Sequence, residues 1–366
     1  MGQLLSSCPA WNEIEVSLFG PGYGECVLIH LGESRWLIVD ACIDRKSRHP
    51  PVLNYLNQLG VDATDAVKLI VASHWHDDHV RGLAQIVESC SQAHFCLPEA
   101  MTSKEFLTII SAYQYPVTET GSGGSELFKV LRILQRRQSI STPKSILADM
   151  CLWSEPLRDG TTCKIYALSP SQAASLLAKR ELGSLLQEGN ERKRLFVRGP
   201  NHVAVVLWVE IGSLRILLGS DLEETTNPNM GWSVILSEST CVDDGQANLF
   251  KVPHHGSETG HCGAAWKKLL SPRPVALLTP FSKSHLPRQT DKERICGLTD
   301  KAYITKSQRP KSMKRPKTVQ DRIKSMAKRL TPLEYSTGHI RCRTNLNSEQ
   351  LVWNVDLLND AKQLCL

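Results

Sequence analysis

The sequence predicts a mixed α/β fold, and three observations lead to that prediction. Short apolar runs broken by turn residues recur along the chain, as is typical of buried strands. Between several of these runs, apolar residues recur at helical spacing, so helices connect strand to strand. The length of 366 residues and the 41% share of hydrophobic residues are enough to bury a substantial core. We therefore expect a single ordered domain that spans residues 10–366.

The first part of the chain predicts two strands followed by a strand-helix-strand unit. Apolar or alternating runs place strands at 14–19, 26–30, 36–39 and 69–72. Between the last two, Val52, Leu53, Leu56 and Leu59 recur at helical spacing, so a helix is expected at 51–60.

The middle of the chain changes to a helical pattern and then returns to strands. Helical spacing over 103–141, interrupted by the flexible glycine-rich segment 121–125, predicts an inserted helical hairpin or lid at 101–150. A charged helix is expected at 172–187. Further apolar runs predict strands at 163–168, 203–209, 214–218, 249–252 and 275–278.

Residues 301–330, here called the basic segment, carry the chain's one strong charge asymmetry, because Lys and Arg recur there against Asp321 alone within 301–329. Two short strands at 339–344 and 351–355 follow it and predict a closing β-hairpin at 336–356. We therefore expect the basic segment to be a loop or insertion within the domain. Its basic side chains suit phosphate contacts, and a solvated flexible loop is the alternative interpretation.

The cysteines and the N-terminal residues indicate the cellular compartment in which we expect the protein. The 12 cysteines are scattered and form no C-x-x-C pair, which favours reduced, buried thiols over a disulfide framework or a cysteine-built zinc site. The first residues lack the basic region and the long apolar run of a secretory signal, and no later stretch is apolar enough to span a bilayer. We expect a cytoplasmic protein with no membrane span.

The strongest chemical signal is a histidine-rich loop that directly follows the predicted strand 69–72. Four potential metal ligands occur there within six residues: His74, His76, Asp78 and His79. Such a density is hard to explain as packing. Imidazoles together with carboxylates suit zinc, with manganese or iron as alternatives, and the H-x-H spacing lets two rings approach one ion while Asp78 and His79 face another.

Two further clusters also follow apolar strands. Asp221 comes after the strand 214–218, where an aspartate can bridge two metals, although taken alone it would more often belong to a turn or a helix cap. His254 and His255 follow the strand 249–252. Successive residues of an extended chain face opposite ways, so one of the pair is expected to be a ligand. We favour His255, which leaves His254 to contact substrate or support the site.

These motifs, in this order and strand context, resemble the metallo-β-lactamase superfamily. The match includes the H-x-H-x-D-H loop, Val39-Asp40 at a strand end, Asp221 and the later histidine. Three segments are similar to the hydrolase domain of DNA-uptake channel proteins of the ComEC type: GYGECVLI at 22–29, LLGSDLE at 217–223 and VPHHGS at 252–257. The resemblance covers about residues 14–285. It implies an αββα sandwich with a site for two divalent metal ions at one edge of its paired sheets.

The resemblance also implies roles for individual residues. His74 and His76 would hold the first metal, Asp78 and His79 the second, and Asp221 would bridge them. Asp40 would orient a ligand through a hydrogen bond. The superfamily usually supplies one more histidine to the first metal just before the strand that precedes the bridging aspartate.

At that place this chain has Asn201-His202. Asn201 is the position that ComEC-type relatives suggest, whereas His202 is either a ligand or a bystander. Where those relatives have Gly-His-Pro, this chain has His285 followed by Leu286 and Pro287. His285 could bind a phosphate oxygen or protonate a leaving group, and a solvent-exposed loop histidine is the alternative.

Two divalent ions about 3.5 to 4 Å apart would generate a hydroxide suited to cleaving a phosphodiester. Asp221 and Asp78 would position the attacking hydroxide, with His285 assisting departure of the leaving group. The leading hypothesis is therefore a nuclease or phosphodiesterase acting on DNA or RNA, with phosphate contacts from Lys311, Lys314, Arg315 and Lys317 in the basic segment. The alternatives are a small-molecule ester, lactone or cyclic-nucleotide hydrolase, and a protein that binds nucleic acid or a partner without turnover.

Overall fold

The computed structural model is built on sixteen strands and eleven α-helices within the residues it describes. Those residues are 7–21, 24–114, 123–137, 140, 142–187, 200–242, 245–306, 316–326 and 337–365. The strands are β1 Glu13–Gly20, β2 Cys26–His30, β3 Trp36–Val39, β4 Val67–Val71, β5 His94–Pro98, β6 Lys144–Ile146, β7 Met150–Pro156, β8 Thr162–Ala167, β9 Leu207–Ile211, β10 Leu214–Leu218, β11 Ala247–Lys251, β12 Leu270–Leu278, β13 Ala302–Ile304, β14 Gly338–Asn345, β15 Asn354–Leu358 and β16 Lys362–Gln363.

The helices are α1 Pro51–Gln58, α2 Ala63–Ala66, α3 Asp77–Val80, α4 Leu83–Ser89, α5 Lys104–Ser111, α6 Gly123–Arg136, α7 Gln172–Gln187, α8 Gly231–Glu238, α9 Gly263–Lys268, α10 Gln289–Leu298 and α11 Lys317–Met326. Short 3-10 turns occur at Glu99–Thr102, Ala112–Gln114, Asn201–Val203 and His254–Gly256. None of the described helices is both long and apolar enough to cross a bilayer.

The strands form two eight-stranded mixed sheets. The first sheet has the order β15-β14-β1-β2-β3-β4-β5-β6, and the second has the order β16-β13-β12-β11-β10-β9-β8-β7. Alternation along β1 shows how the sheets meet: Ile14, Val16 and Leu18 face a core shared with residues of the second sheet, including Val209 and Leu249. The two sheets therefore pack face to face.

Helices cover the outer faces of both sheets. The first sheet packs against α1 to α7 through a core that includes Leu56 of α1 and Ile110 of α5. The second sheet packs against α8 to α10 through Trp232, Trp266 and Ile295. This arrangement confirms the predicted αββα sandwich.

Several predicted segments differ in detail. The run 203–209 starts as a 3-10 turn, and its strand begins only at Leu207. The reason is that Val205 N–H donates to Ser73 O at 3.1 Å, which holds the first residues of the run against the loop after β4. In 101–150, α5 and α6 pack on the first sheet and β6 pairs with β5, so this segment also extends the sheet. A lid motion there stays a prediction.

The structure also refines the predicted bounds of the closing hairpin and shows two elements within the basic segment. Strands β14 and β15 pair antiparallel, with His339 opposite Leu358, and the second strand begins at Asn354, three residues later than expected. Strand β14 then pairs with β1, which ties the end of the chain to its beginning. Within the basic segment, β13 joins the second sheet and α11 forms a separate helix.

One expectation about the cysteines was wrong. Cys296 of α10 and Cys365 form a disulfide, with their Cα atoms 5.5 Å apart. The fold brings together two residues that are separated by 69 positions, which spacing alone does not reveal. The other ten cysteines are free thiols, as expected, but only six of them are buried: Cys8 and Cys151 are exposed, and Cys241 and Cys262 are half-buried.

Candidate metal centre

The candidate ligands meet at one edge of the sandwich because each follows the carboxyl end of a strand. The loop 74–79 follows β4, Asp221 follows β10, and His255 follows β11. Strand β4 runs parallel to β3, and β10 runs parallel to β11, so within each sheet these ends lie side by side. Packing of the two sheets then brings both sets of loops together.

Four side chains form what we call the four-residue group: Asp78, His79, Asp221 and His255. Asp221 Oδ2 lies 3.3 Å from His79 Nε2 and 3.5 Å from His255 Nε2. Asp78 Oδ2 lies 3.3 Å from His255 Nε2 and 3.8 Å from His79 Nε2. Two imidazoles and two carboxylates around one point are a ligand set that suits zinc, manganese or iron.

A second set, the three-residue group, consists of His74, His76 and Asp221. His74 Nε2 lies 3.2 Å from His76 Nδ1. Asp221 belongs to both groups, which is the arrangement required of a carboxylate that bridges two ions. His76 and Asp78 are half-buried whereas the other ligands are buried, so solvent reaches the centre on their side.

The ring nitrogens that face away from the centre are held by hydrogen bonds. His79 Nδ1 donates to Asp40 Oδ2 at 2.8 Å, and His255 Nδ1 donates to the Thr279 carbonyl at 3.0 Å. His74 Nδ1 lies 2.9 Å from Ser73 Oγ, which itself donates to Asp40 at 2.6 Å. Such bonds fix the tautomer and turn Nε2 toward the centre. Asp40 therefore holds the candidate ligand His79 by a hydrogen bond, and its role in orienting a metal ligand stays a prediction.

The fit to metal ions also follows from polar atoms that have no partner. Among the described residues, His79 Nε2 and Asp221 Oδ1 are buried without a hydrogen bond. Unpaired buried polar atoms are costly, and they are rare in native proteins unless a ligand or an ion completes them. The residues present therefore fit a metal centre.

The backbone at the centre adopts sparsely populated conformations. Asp40, Ser220, His254 and His255 all have φ between 46° and 60°, in the left-handed region that residues other than glycine seldom occupy. Consecutive left-handed residues at 254 and 255 turn the chain sharply after β11. Strain of this kind persists where the surrounding structure imposes it, and it is concentrated at functional sites.

The charges at the centre shift the pKa values of its histidines in opposite directions. Burial lowers the pKa of His79, but Asp221, Asp40 and Asp78 outweigh burial and raise it well above its ordinary value. His74 has no such surplus of carboxylates: burial and the neighbouring His79 hold its pKa well below the ordinary range. The four-residue group thus concentrates negative charge, which attracts a cation.

An ion pair that sequence reasoning missed lies beneath the ligands. Glu25 and Lys251 are each 2% exposed and contact one another. Burial lowers the pKa of Lys251, but Glu25 and Asp221 raise it above its usual value, so the ammonium stays charged. Glu25 lies inside the GYGECVLI segment and Lys251 directly precedes the VPHHGS segment, but the sequence did not indicate that they meet.

A glycine allows the close approach of these segments. Glu25 N–H donates to the Asp78 carbonyl at 3.0 Å. At the preceding Gly24, with φ of +123°, an added Cβ would fall 1.8 Å from that carbonyl oxygen. Only glycine fits at this position.

His254 lies outside both ligand groups within the described residues, and Asn201 is its neighbour. His254 Nδ1 lies 2.9 Å from Glu223 Oε1 and 2.9 Å from Ser257 Oγ, and Asn201 Nδ2 lies 3.3 Å from His254 Nε2. Asn201 Oδ1 is buried without a hydrogen-bond partner among the described atoms. Asn201 therefore has an oxygen free for a ligand.

His202 is not brought into either group within the described part of the chain. Its Nε2 lies 3.7 Å from Glu181 of α7. His285 is exposed on a loop closed by a bridge between Phe281 and Leu286. The Phe281 ring stacks on His255 at 5.0 Å, so this loop borders the centre, although His285 itself points to solvent-accessible space.

Of the four basic residues expected to contact nucleic acid, only one falls on described structure. Lys317 is exposed at the first turn of α11. Lys311, Lys314 and Arg315 lie outside the described residues. Their phosphate contacts stay a prediction.

A model of the metallo-beta-lactamase superfamily matches residues 19–274, which include both ligand groups. Among solved structures, the chain is similar to a protein of Parabacteroides distasonis named as a metal-dependent hydrolase, at 10% identity and a TM-score of 0.33, with 81% of this chain and 96% of that chain covered. No curated protein matches it significantly.

Proposed function

This chain belongs to the metallo-β-lactamase superfamily, and from that premise we propose that it is a metal-dependent hydrolase that cleaves phosphodiester bonds in nucleic acid. The observation that carries the proposal is the pair of adjoining ligand groups that share Asp221. When bound, two divalent ions lower the pKa of a water and stabilise the charge of a displaced oxygen. The superfamily acts on several classes of ester, so the substrate needs separate support.

Support for a phosphodiester comes from the segments around the ligands. GYGECVLI at 22–29 and VPHHGS at 252–257 are similar to the hydrolase domain of the ComEC type. The first segment supplies Glu25 and the second supplies His254 and His255, all within or beside the centre. The basic segment adds positive charge suited to a phosphate backbone.

Different side chains of this protein would have different roles at such a site. Asp40, Ser73 and the Thr279 carbonyl orient the ligand imidazoles. His254 is held by Glu223 and directed toward Asn201, where it would contact a substrate oxygen. His285, on the loop bordering the centre, would contact the phosphate or the leaving group.

The test is hydrolysis by purified protein of single-stranded DNA, duplex DNA, RNA and a generic phosphodiester, with zinc or manganese added. We expect cleavage of a polynucleotide that a chelator abolishes. We expect the same loss in His76→Ala and Asp78→Ala proteins whose circular dichroism is unchanged. The matched control is His49→Ala, an exposed histidine outside both groups. Bound metal with turnover of the small ester alone would favour a small-molecule hydrolase, and a folded protein that takes up no metal would favour binding without turnover.

A second experiment addresses the nucleic-acid contact. Replacing Lys311, Lys314, Arg315 and Lys317 with Gln should weaken binding to DNA or RNA and reduce its dependence on salt, because fewer counterions are released. Lys267 and Lys268 are exposed on α9 and give a control for loss of charge. Binding that the basic-segment variant leaves unchanged would reject these contacts and leave the hydrolase proposal standing.

A further inference from the structure

The buried Glu25–Lys251 ion pair joins the two sheets directly beneath the candidate metal centre. Lys251 is the last residue of β11 in the second sheet, and Glu25 immediately precedes β2 in the first. Both side chains are 2% exposed. A buried ion pair is seldom a net source of stability, because removing two charges from water costs as much as their attraction returns. Its location therefore calls for another explanation.

Lys251 contacts the turn that carries the shared ligand. Its ammonium donates to the Ser220 carbonyl at 3.0 Å and lies 3.8 Å from Asp221 Oδ1. Asp221 Oδ2 instead faces His79 and His255, at 3.3 Å and 3.5 Å from their Nε2 atoms. The aspartate thus presents one oxygen to the ammonium and the other to the four-residue group. Lys251 is in a position to set which way the carboxylate turns.

An ammonium at this place would by itself oppose metal binding. Like charges repel, and the repulsion is strong where water is excluded. Glu25 contacts Lys251 and also lies behind two candidate ligands: its Oε2 is 3.8 Å from His255 Nδ1, and its Oε1 is 4.0 Å from His79 Nδ1. Its negative charge cancels that of Lys251 where cations would be held.

We propose that Lys251 orients Asp221 for metal binding and that Glu25 is the counterion that lets a buried ammonium stand next to divalent cations. Both are positioning residues, because they act through Asp221 and through the local charge. This inference rests on the metal centre of the proposed function, but not on its substrate.

The experiment measures the zinc dissociation constant of the full chain by competition with a chromophoric chelator at constant pH. The variants are Glu25→Gln and the double variant Glu25→Gln with Lys251→Met. Glu25→Gln leaves an uncompensated ammonium, so we expect zinc binding to weaken about 10- to 100-fold, the range typical of groups behind metal ligands. The double variant removes both charges, and we expect it to bind zinc more tightly than Glu25→Gln but less tightly than the unaltered protein.

This order separates charge balance from general damage to the fold. A purely structural pair predicts that the double variant binds no better than the single one, and that result would overturn the counterion role. Binding equal to that of the unaltered protein would overturn the orienting role of Lys251. Glu15→Gln is the matched control, because Glu15 is another buried carboxylate paired with a cation, Arg343, and it contacts no ligand.

A further variant guards against loss of folding. If Glu25→Gln does not fold, Glu25→Asp retains the charge and loses only reach, so we expect it to bind zinc more tightly than the double variant. Weaker binding by Glu25→Asp would contradict charge balance. Zinc binding is measured without substrate, so these zinc dissociation constants do not depend on whether the protein cleaves phosphodiesters. Conversely, rejection of the roles of Glu25 and Lys251 would leave the result of the nuclease assay on the unaltered protein unchanged.

Discussion

Two buried clusters of ionisable side chains in this protein differ in whether their polar atoms are hydrogen-bonded. The first is the candidate metal centre, with the two groups of potential ligands described above. The second, here called the strand cluster, consists of Glu15, Ser17, Tyr55, His339 and Arg343 at β1, β14 and α1. Glu15 there accepts from Ser17 Oγ at 2.7 Å, Tyr55 Oη at 2.9 Å and Arg343 Nε at 2.8 Å.

The ionisable side chains of the strand cluster form hydrogen bonds with one another, whereas some polar atoms of the candidate metal centre have no hydrogen bond among the described residues. His339 Nε2 lies 2.9 Å from Ser17 Oγ, so the histidine of the strand cluster also has a partner. At the candidate metal centre, His79 Nε2 and Asp221 Oδ1 have no hydrogen bond among the described residues, and the backbone at Ser220 and His255 is left-handed. Burial of histidines and carboxylates is therefore common to structural and functional clusters. Buried polar atoms without a hydrogen bond, together with backbone strain, are the features that mark a functional cluster.

The largest expected effect is at the residue shared by both ligand groups. Asp221→Asn should lose zinc on dialysis, and its hydrolytic activity should fall by about 10³-fold or more, because both metal positions lose a ligand. Metal analysis, activity and circular dichroism would be measured together. Full zinc content in the variant would mean that the unpaired atoms of this centre do not mark a metal site.

Substitution of a buried carboxylate in the strand cluster should lower the stability of the fold and leave the zinc content unchanged. Glu15→Gln removes the buried carboxylate of Arg343 and leaves its guanidinium with only the half-buried Glu13, 3.5 Å away, as a carboxylate partner among the described residues, which we expect to lower the free energy of unfolding by about 3 kcal/mol. Urea unfolding followed by circular dichroism measures this, and zinc content serves as the control. A fall in zinc content comparable to that of Asp221→Asn would break the distinction between the clusters.

The strand cluster should also make stability depend on pH. Burial lowers the pKa of His339 to about 3, against about 6.5 in the unfolded chain. The unfolded state therefore binds more protons between these values, so stability is lost as the pH falls below about 6.5. We expect the free energy of unfolding to be lower by about 2 kcal/mol at pH 5 than at pH 7.

The measurement is urea unfolding of chelator-treated protein at both pH values, compared with a His339→Gln variant. That variant should lose this share of the pH dependence. The exposed His49→Gln protein is the control. An unchanged pH dependence in His339→Gln would show that His339 is not held neutral in the fold.

The smallest expected effect distinguishes two neighbouring residues at the rim of the metal centre. Asn201 Oδ1 and His202 Nε2 are both buried without a hydrogen bond among the described atoms, but Asn201 adjoins His254 at 3.3 Å, whereas His202 Nε2 faces Glu181 at 3.7 Å. Asn201→Ala should weaken the second equivalent of zinc by about tenfold, and His202→Ala should change it by less than about twofold. A chelator-competition titration resolves the two equivalents, and the reverse order of effects would make His202 the ligand.

Sequence by itself determined the fold class and indicated most of the candidate ligands. Short apolar runs and helical spacing predicted most of the strands of the first sheet and the helices α1 and α7, because both patterns are local. The loop 74–79 and Asp221 were recognisable for the same reason: each directly follows an apolar strand, so its place at the edge of a sheet is set by the chain's own connectivity.

Only the tertiary structure decided how distant segments meet. It turned His255 inward and His254 aside through two consecutive left-handed residues, it directed His202 toward α7, and it paired Cys296 with Cys365. It also joined Glu25 to Lys251 across the two sheets. Such contacts depend on how two sheets pack and on single backbone dihedrals, and neither leaves a periodic signal in the sequence.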